Sequence, residues 1–144
     1  MASVSDANKA TYREYVEEVW NRGNLAAMDH YFAEDHYDND APPGQGDGLA
    51  GLKPTFAMFQ QAFSDIHVSV DQQIAEGDKV VSRITFNGTH RGPFFGIPAT
   101  GRRVAVKQMH ILRFENGKMA EHWVNSDDLS MLRQLGVIPE MARA

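Results

Sequence analysis

Hydrophobic positions change period along the chain, and the change divides it into a helical half and a stranded half. Tyr12, Tyr15, Val16, Val19 and Trp20 recur at three- and four-residue steps, with Glu14, Glu17 and Glu18 between them. That spacing predicts a helix over residues 6–22, with Ser3 or Ser5 as N-cap and Gly23 as its stop. A short second helix is expected from about Leu25 to Phe32. A third is expected from about Leu52 to Phe63, where Pro54 falls in the first turn and Leu52, Phe56, Phe59 and Phe63 form one stripe. Core packing explains that stripe most simply, and its edge can also roof a pocket. Residues 35–50 are rich in Asp, Gly and Pro, and this composition predicts a long loop.

From Asp65 onward the period is two. Ile66, Val68 and Val70 alternate with His67, Ser69 and Asp71. Glu76-Gly77-Asp78 reads as a hairpin turn and residues 80–89 as the returning strand. Residues 90–102 form a loop punctuated by Gly and Pro that carries Phe94, Phe95 and Ile97. Further strands are predicted at about 103–114 and 118–125. A last helix at 128–135 is capped by Ser126 or Asp127 and ended by Gly136. Helices followed by a run of strands indicate an α+β fold in one domain spanning 1–144. Three N-terminal helices should cover a strongly curved antiparallel sheet, leaving a cone with an open end.

The strand at 104–114 puts Val104, Val106, Gln108, His110, Leu112 and Phe114 on one face. Which residues oppose them depends on the turn at Glu115-Asn116-Gly117-Lys118. A two-residue turn pairs Phe114 with Met119 and sets His110 against Trp123. A type I turn with Gly117 as a left-handed bulge residue pairs Phe114 with Lys118. His110 then faces His122, and Gln108 faces Val124. Gly117 at the bulge position and the small Ala120 opposite Leu112 favour the second. Met109, Ile111, Met119 and Trp123 would then form an apolar outer face, the kind of surface that predicts a homodimer or higher homo-oligomer.

Two facing imidazoles on an apolar inner face have a chemical consequence. Burial and mutual repulsion both disfavour the charged form, so at least one ring should be neutral at pH 7. A neutral histidine can take a proton from a carbon beside a carbonyl, and Gln108 can hydrogen-bond the enolate oxygen that results. His110, His122 and Gln108 are therefore the candidate catalytic residues. Tyr12, Trp20, Tyr37, Asn39, Phe59, Phe63, Arg83, Phe94, Phe95 and Val124 are candidates for contacting a ligand. Arg83 has two readings, a cavity cation or an outer-face partner of an acidic neighbour. The segment Glu34–Asp40 carries hard-metal ligand types without a ligand spacing, and it reads as a solvated loop rather than a metal site.

Composition narrows the field further. A net charge of -5 argues against nucleic acid, which needs a basic face. The absence of Cys excludes thiol catalysis, disulfides and Cys-ligated zinc. No apolar run approaches the ~20 residues that span a bilayer. The N-terminal Met-Ala-Ser-Val-Ser-Asp lacks a basic start and an apolar core, so a cytoplasmic protein is expected.

Three stretches carry a family resemblance: Gly88 to Arg102 (Gly-Thr-His-Arg-Gly-Pro-Phe-Phe-Gly-Ile-Pro-Ala-Thr-Gly-Arg), Phe114 to Trp123, and Leu132 to Gly136. With Pro42-Pro43-Gly44 and Phe59-Gln60-Gln61-Ala62-Phe63, they resemble the SnoaL-like polyketide cyclase (ester cyclase) family over about residues 8–137. The resemblance implies a cone-shaped α+β barrel of the nuclear-transport-factor-2-like superfold, shared with ketosteroid isomerase and limonene epoxide hydrolase. It also implies intramolecular aldol ring closure without a cofactor or metal, on a small hydrophobic or aromatic carbonyl ligand. Gln108 and His110 match the family's pocket positions. The family's acid/base aspartate, directly after the tryptophan of the last strand, is replaced by Val124, and Asn39 stands near the place of a further family histidine. A valine cannot transfer a proton, so His122 is the candidate to take over. A ligand-binding protein without turnover and an epoxide hydrolase with an Asp-Arg-Asp arrangement are the other two readings.

Overall fold

The computed structural model describes residues 3–139. Helix α1 (Val4–Tyr15) starts at Ser3, whose hydroxyl accepts from the Asp6 N–H at 3.0 Å. It continues as a π-helical turn, Val16–Asn21, and ends at Gly23 with φ +72°. The turn widens the helix where Trp20 must reach inward. Its last residue, Asn21, exchanges two hydrogen bonds with the Val68 backbone. A 3-10 turn (Leu25–Ala27) leads to the short α2 (Met28–Tyr31), and α3 spans Gly48–Ala62. Helix α3 thus begins four residues before the expected Leu52, and Pro54 lies inside it. The earlier start rests on close backbone packing, since a Cβ on Gly51 would collide with the Gly46 backbone.

Five strands form one sheet in the order β1-β5-β4-β3-β2. They are β1 (Phe32–Asp38), β2 (Phe63–Glu76), β3 (Lys79–His90), β4 (Arg103–Glu115) and β5 (Lys118–Ser126), followed by α4 (Asp128–Gln134). Asp127 caps α4 by accepting from the Ser130 N–H. β2 to β5 are antiparallel, as alternation predicts. β1 corrects the expectation of an all-antiparallel sheet and of a loop from residue 35. It pairs parallel to β5 at the sheet edge. Its register is irregular between Phe32 and Tyr37, so its sequence does not alternate cleanly.

The core lies between the concave side of the sheet and the helices. Tyr15, Val19, Met28, Phe32, Phe56, Phe63, Val80, Phe86, Val106 and Met119 are all buried there. Met119 corrects the predicted outer face, because it is fully buried. The cause is the turn. Asn116 and Gly117 both have positive φ (50° and 77°), a two-residue type I′ geometry that pairs Glu115 with Lys118 and Phe114 with Met119. The extra residue predicted in the turn sits instead inside β5, where the register shifts between Phe114/Met119 and Arg113/Glu121. This bulge restores the predicted facing from His122 onward.

Candidate functional site

The displaced bulge moves each expected pair by two residues while keeping its face. His110 lies opposite Val124, Leu112 opposite His122 and Gln108 opposite Ser126. His110 and His122 are diagonal neighbours on the inner face, and their rings stack at 5.0 Å between centroids and 22° between planes. His110 Nδ1 and His122 Nε2 are 2.7 Å apart. His110 Nε2 lies 2.8 Å from Gln108 Oε1, and Gln108 Nε2 donates to Ser126 Oγ at 3.3 Å.

A carboxylate completes the row from the other side. Asp38, at the end of β1, is in register with His122, and its Oδ1 accepts from His122 Nδ1–H at 3.0 Å. Its side chain is 9% exposed. The Asp40 N–H donates to Asp38 Oδ1 at 3.2 Å, and Gln45 Nε2 donates to Asp38 Oδ2 at 3.3 Å. Thr55 on α3 holds Gln45 in turn, donating to its Oε1 at 2.8 Å. The result is one continuous chain of polar contacts: Thr55, Gln45, Asp38, His122, His110, Gln108, Ser126. Sequence reasoning missed Asp38, Ser126, Gln45 and Thr55. The two-residue spacing of His36 and Asp38 is a strand signal in a segment whose composition reads as loop.

The donors and acceptors along this row determine its proton content. With Gln108 Oε1 toward His110, Nε2 of that ring must carry a proton. If His110 is neutral, its Nδ1 then accepts from His122, which donates from both nitrogens. Turning the Gln108 amide by 180° reverses the order. Its NH₂ donates to a bare His110 Nε2, His110 Nδ1–H donates to His122 Nε2, and His122 Nδ1–H still donates to Asp38. The two arrangements differ by one proton, so the row can hold or release one.

Electrostatics favour keeping charge away from His110. Burial, reinforced by repulsion from His122 and opposed by Asp38, pushes its pKa down to about 3. At Asp38, burial pushes the carboxyl up. The His122 hydrogen bond and charge, with the Asp40 and Gln45 donors, outweigh burial, and its pKa falls below the usual range. The Asp38 carboxylate contacts His122 and not His110, so the row runs from the uncharged end at His110 toward the negative charge.

The remaining candidates divide by location. Phe59 is the hub of an aromatic wall, with ring centroids 6.0 Å from Trp20, 5.4 Å from Phe94 and 6.4 Å from Phe95. The Trp20 indole donates to Tyr15 Oη at 2.7 Å. Val124 is half-buried opposite His110. Phe95 has φ +44°, a costly conformation for an aromatic residue, and projects its ring from the 91–102 loop. Tyr12 and Phe63 are instead core residues. Tyr37 is exposed, since on β1 it alternates with the inward His36 and Asp38. Asn39 lies outside the cone, where its amide bonds Glu121 and the His122 carbonyl. Arg83 is exposed opposite Met109, on the outer face where Asp71 also lies, so no Asp-Arg-Asp cluster forms in the cone. The described residues assemble no group of three His, Cys, Asp or Glu side chains around a metal position.

Two clefts meet at Gln45 and Gly46. One, of about 370 Å³, is largely apolar, with Pro42, Pro43, Pro54, Met58 and Phe95 in its walls. The other, of about 500 Å³, lies along β1 and is lined by Asp35, His36, Asp38, Ala41 and Asp47 among others.

The sequence profile of the SnoaL-like polyketide cyclase family matches residues 10–135. Aklanonic acid methyl ester cyclase DnrD of Streptomyces peucetius is 37% identical over 90 residues, covering 62% of each chain. The aligned stretch is thus less than two thirds of that relative's length. Nogalonic acid methyl ester cyclase of Streptomyces nogalater is 30% identical over 82% of this chain and 90% of its own. Among solved structures, TsrD from Streptomyces laurentii superposes with a TM-score of 0.86 at 29% identity, covering 96% of this chain and all of the other.

Proposed function

Because the chain belongs to the SnoaL-like polyketide cyclase family, we propose that it closes a ring in a small polyketide-type carbonyl compound by cofactor-independent proton transfer. The substrate's carbonyl oxygen takes the place of the contact between Gln108 and His110. Gln108 then donates to that oxygen, and His110 Nε2 is free to remove a proton from the adjacent carbon. As the C–H bond breaks, its electron pair moves into the enolate and an N–H bond forms on His110. The His110 Nδ1 proton moves onto His122, whose other nitrogen rests on Asp38. The enolate carbon attacks a second carbonyl, and the alkoxide regains the proton. The aromatic wall of Trp20, Phe59 and Phe94 suits the planar rings of such a compound.

The single observation that carries this reading is the unbroken Asp38–His122–His110–Gln108 row at the position where the family's aspartate is replaced by Val124. The carboxylate is supplied from β1 through two imidazoles. The relatives' names suggest aklanonic acid and nogalonic acid methyl esters as first substrates. Ring closure followed by absorbance or mass-neutral chromatographic shift tests the proposal. Tight binding of both esters with no ring closure would instead establish a ligand-binding protein.

Two further elements belong to the proposal. Met109 is 47% exposed on the outer face, beside half-buried Ile111 and Trp123, and this patch is assigned to a homodimer contact. A monomer in sedimentation at micromolar concentration would refute it. No described helix is long and apolar enough to cross a membrane, and the site of action is taken to be the cytoplasm.

A further inference from the structure

We propose that the cleft along β1 is a proton port. Through it, Asp38 exchanges protons with solvent while a substrate occupies the cone. This inference rests on the assignment of His110 as the base.

The polar row has two ends in different surroundings. At one end Gln108 and His110 lie half-buried on the inner face of the sheet, where the proposed substrate would displace water. At the other end Asp38 lines the 500 Å³ cleft, separated from the apolar groove by Gln45 and Gly46. Each imidazole can accept at one nitrogen while donating from the other, so the two rings form a conducting pair. A carboxylate offers about four lone-pair positions. His122, the Asp40 N–H and Gln45 occupy three at Asp38, leaving one for water in the cleft.

The charged surroundings have a consistent sign. Asp35 and Asp47 line the cleft, and among the described residues no Lys or Arg does. Asp40 follows on the same segment, and Tyr15 of α1 faces Asp38 with its hydroxyl held neutral by burial. His36 lines the same cleft and is kept neutral, because burial lowers its pKa. An acidic recess of this kind concentrates hydronium and protonated buffer.

The steps balance. The substrate proton binds His110 Nε2, and the His110 Nδ1 proton passes to His122 Nε2. The His122 Nδ1 proton passes to Asp38 Oδ1, and the resulting acid gives its proton to water in the cleft. The reverse sequence protonates the alkoxide, so the product keeps the substrate's proton count and carries a solvent-derived proton.

The test is the lifetime of the His110 and His122 ring N–H protons, measured by NMR on the ¹⁵N-labelled full chain. Ala41→Phe, and the milder Ala41→Leu, fill the cleft from an exposed loop position without touching the row. Met58→Trp crowds the apolar groove instead. The Ala41 variants should lengthen the lifetimes by about tenfold or more, because exchange then requires local opening, and Met58→Trp should leave them unchanged. Equal lifetimes in all four proteins, or lengthening only in Met58→Trp, would overturn the port. The measurement needs no substrate, so a failure of the port is separable from a failure of the cyclase assignment.

Discussion

The two faces of the β4–β5 hairpin carry polar networks with similar contact distances and different chemistry. On the outer face Arg113 bridges Glu121 at 3.0 Å and Glu115 at 2.9 Å, and Asn39 donates to Glu121 at 3.0 Å. On the inner face His110, His122 and Asp38 meet at 2.7 and 3.0 Å. Outside, water solvates each charge and screens the pairs, so the groups keep their ordinary ionisation at neutral pH. The shifts there only reinforce it: the Asn39 and Arg113 hydrogen bonds lower Glu121, and the Glu121 and Glu115 hydrogen bonds raise Arg113. Inside, burial makes a charge on His110 costly and moves its pKa to about 3. The difference in ionisation between the two faces therefore follows from desolvation rather than from contact distance.

The largest test of that contrast is His110→Ala. Loss of a general base costs about 10²–10⁴ in rate, so turnover should fall by that order with ligand affinity largely retained in a titration. Full activity would place the chemistry elsewhere in the cone. Asp38→Asn should cost about 10²-fold, at the low end of that range, because it removes the carboxylate beside the proton passed to His122. Its pH–rate profile should change shape as well, which a merely structural role would not produce.

Val124→Asp places a carboxylate opposite His110 and should favour the imidazolium. The acidic limb of the rate profile should move to higher pH by about one unit or more. An unmoved limb would show that position 124 does not sense His110.

Stability should fall as pH drops. His110 has a folded pKa of about 3 against an ordinary 6.5, so between those values the unfolded chain binds more protons. Its contribution is fully present above pH 6.5 and is lost on the way down to about 3. Burial lowers the His36 pKa with the same sign, and lowered Asp38 adds a loss as pH falls through its own folded value. Tm measured from pH 7 to 4 should decline, and His110→Phe should make the decline shallower. Identical slopes would argue against a desolvated, neutral His110. The smallest effect belongs to the outer face: Glu121→Gln should shift Tm by no more than about 3 °C and leave turnover unchanged. A large loss of activity there would erase the distinction between the faces.

Local pattern determined much of this protein. Alternation placed Gln108 with His110 on one face of β4 and His122 with Val124 on one face of β5, and helical spacing placed Trp20 and Phe59 where an aromatic wall forms; that the two strand faces coincide came from the bulge in β5. The motif stretches pointed to the family. These features survive because a strand's facing and a helix's stripe are set by a few neighbouring residues.

What only the tertiary structure decided was which residues meet. Asn116 accepted positive φ, so the extra residue of the hairpin entered β5, buried Met119 and made the two histidines diagonal. Arg83 turned outward, and Tyr37 and Asn39 stayed outside the cone. Asp38 came to His122 from 84 residues away, through a parallel edge strand whose irregular register hides its period. The energy of such a contact depends on burial and on partners distant in sequence, and local composition records neither.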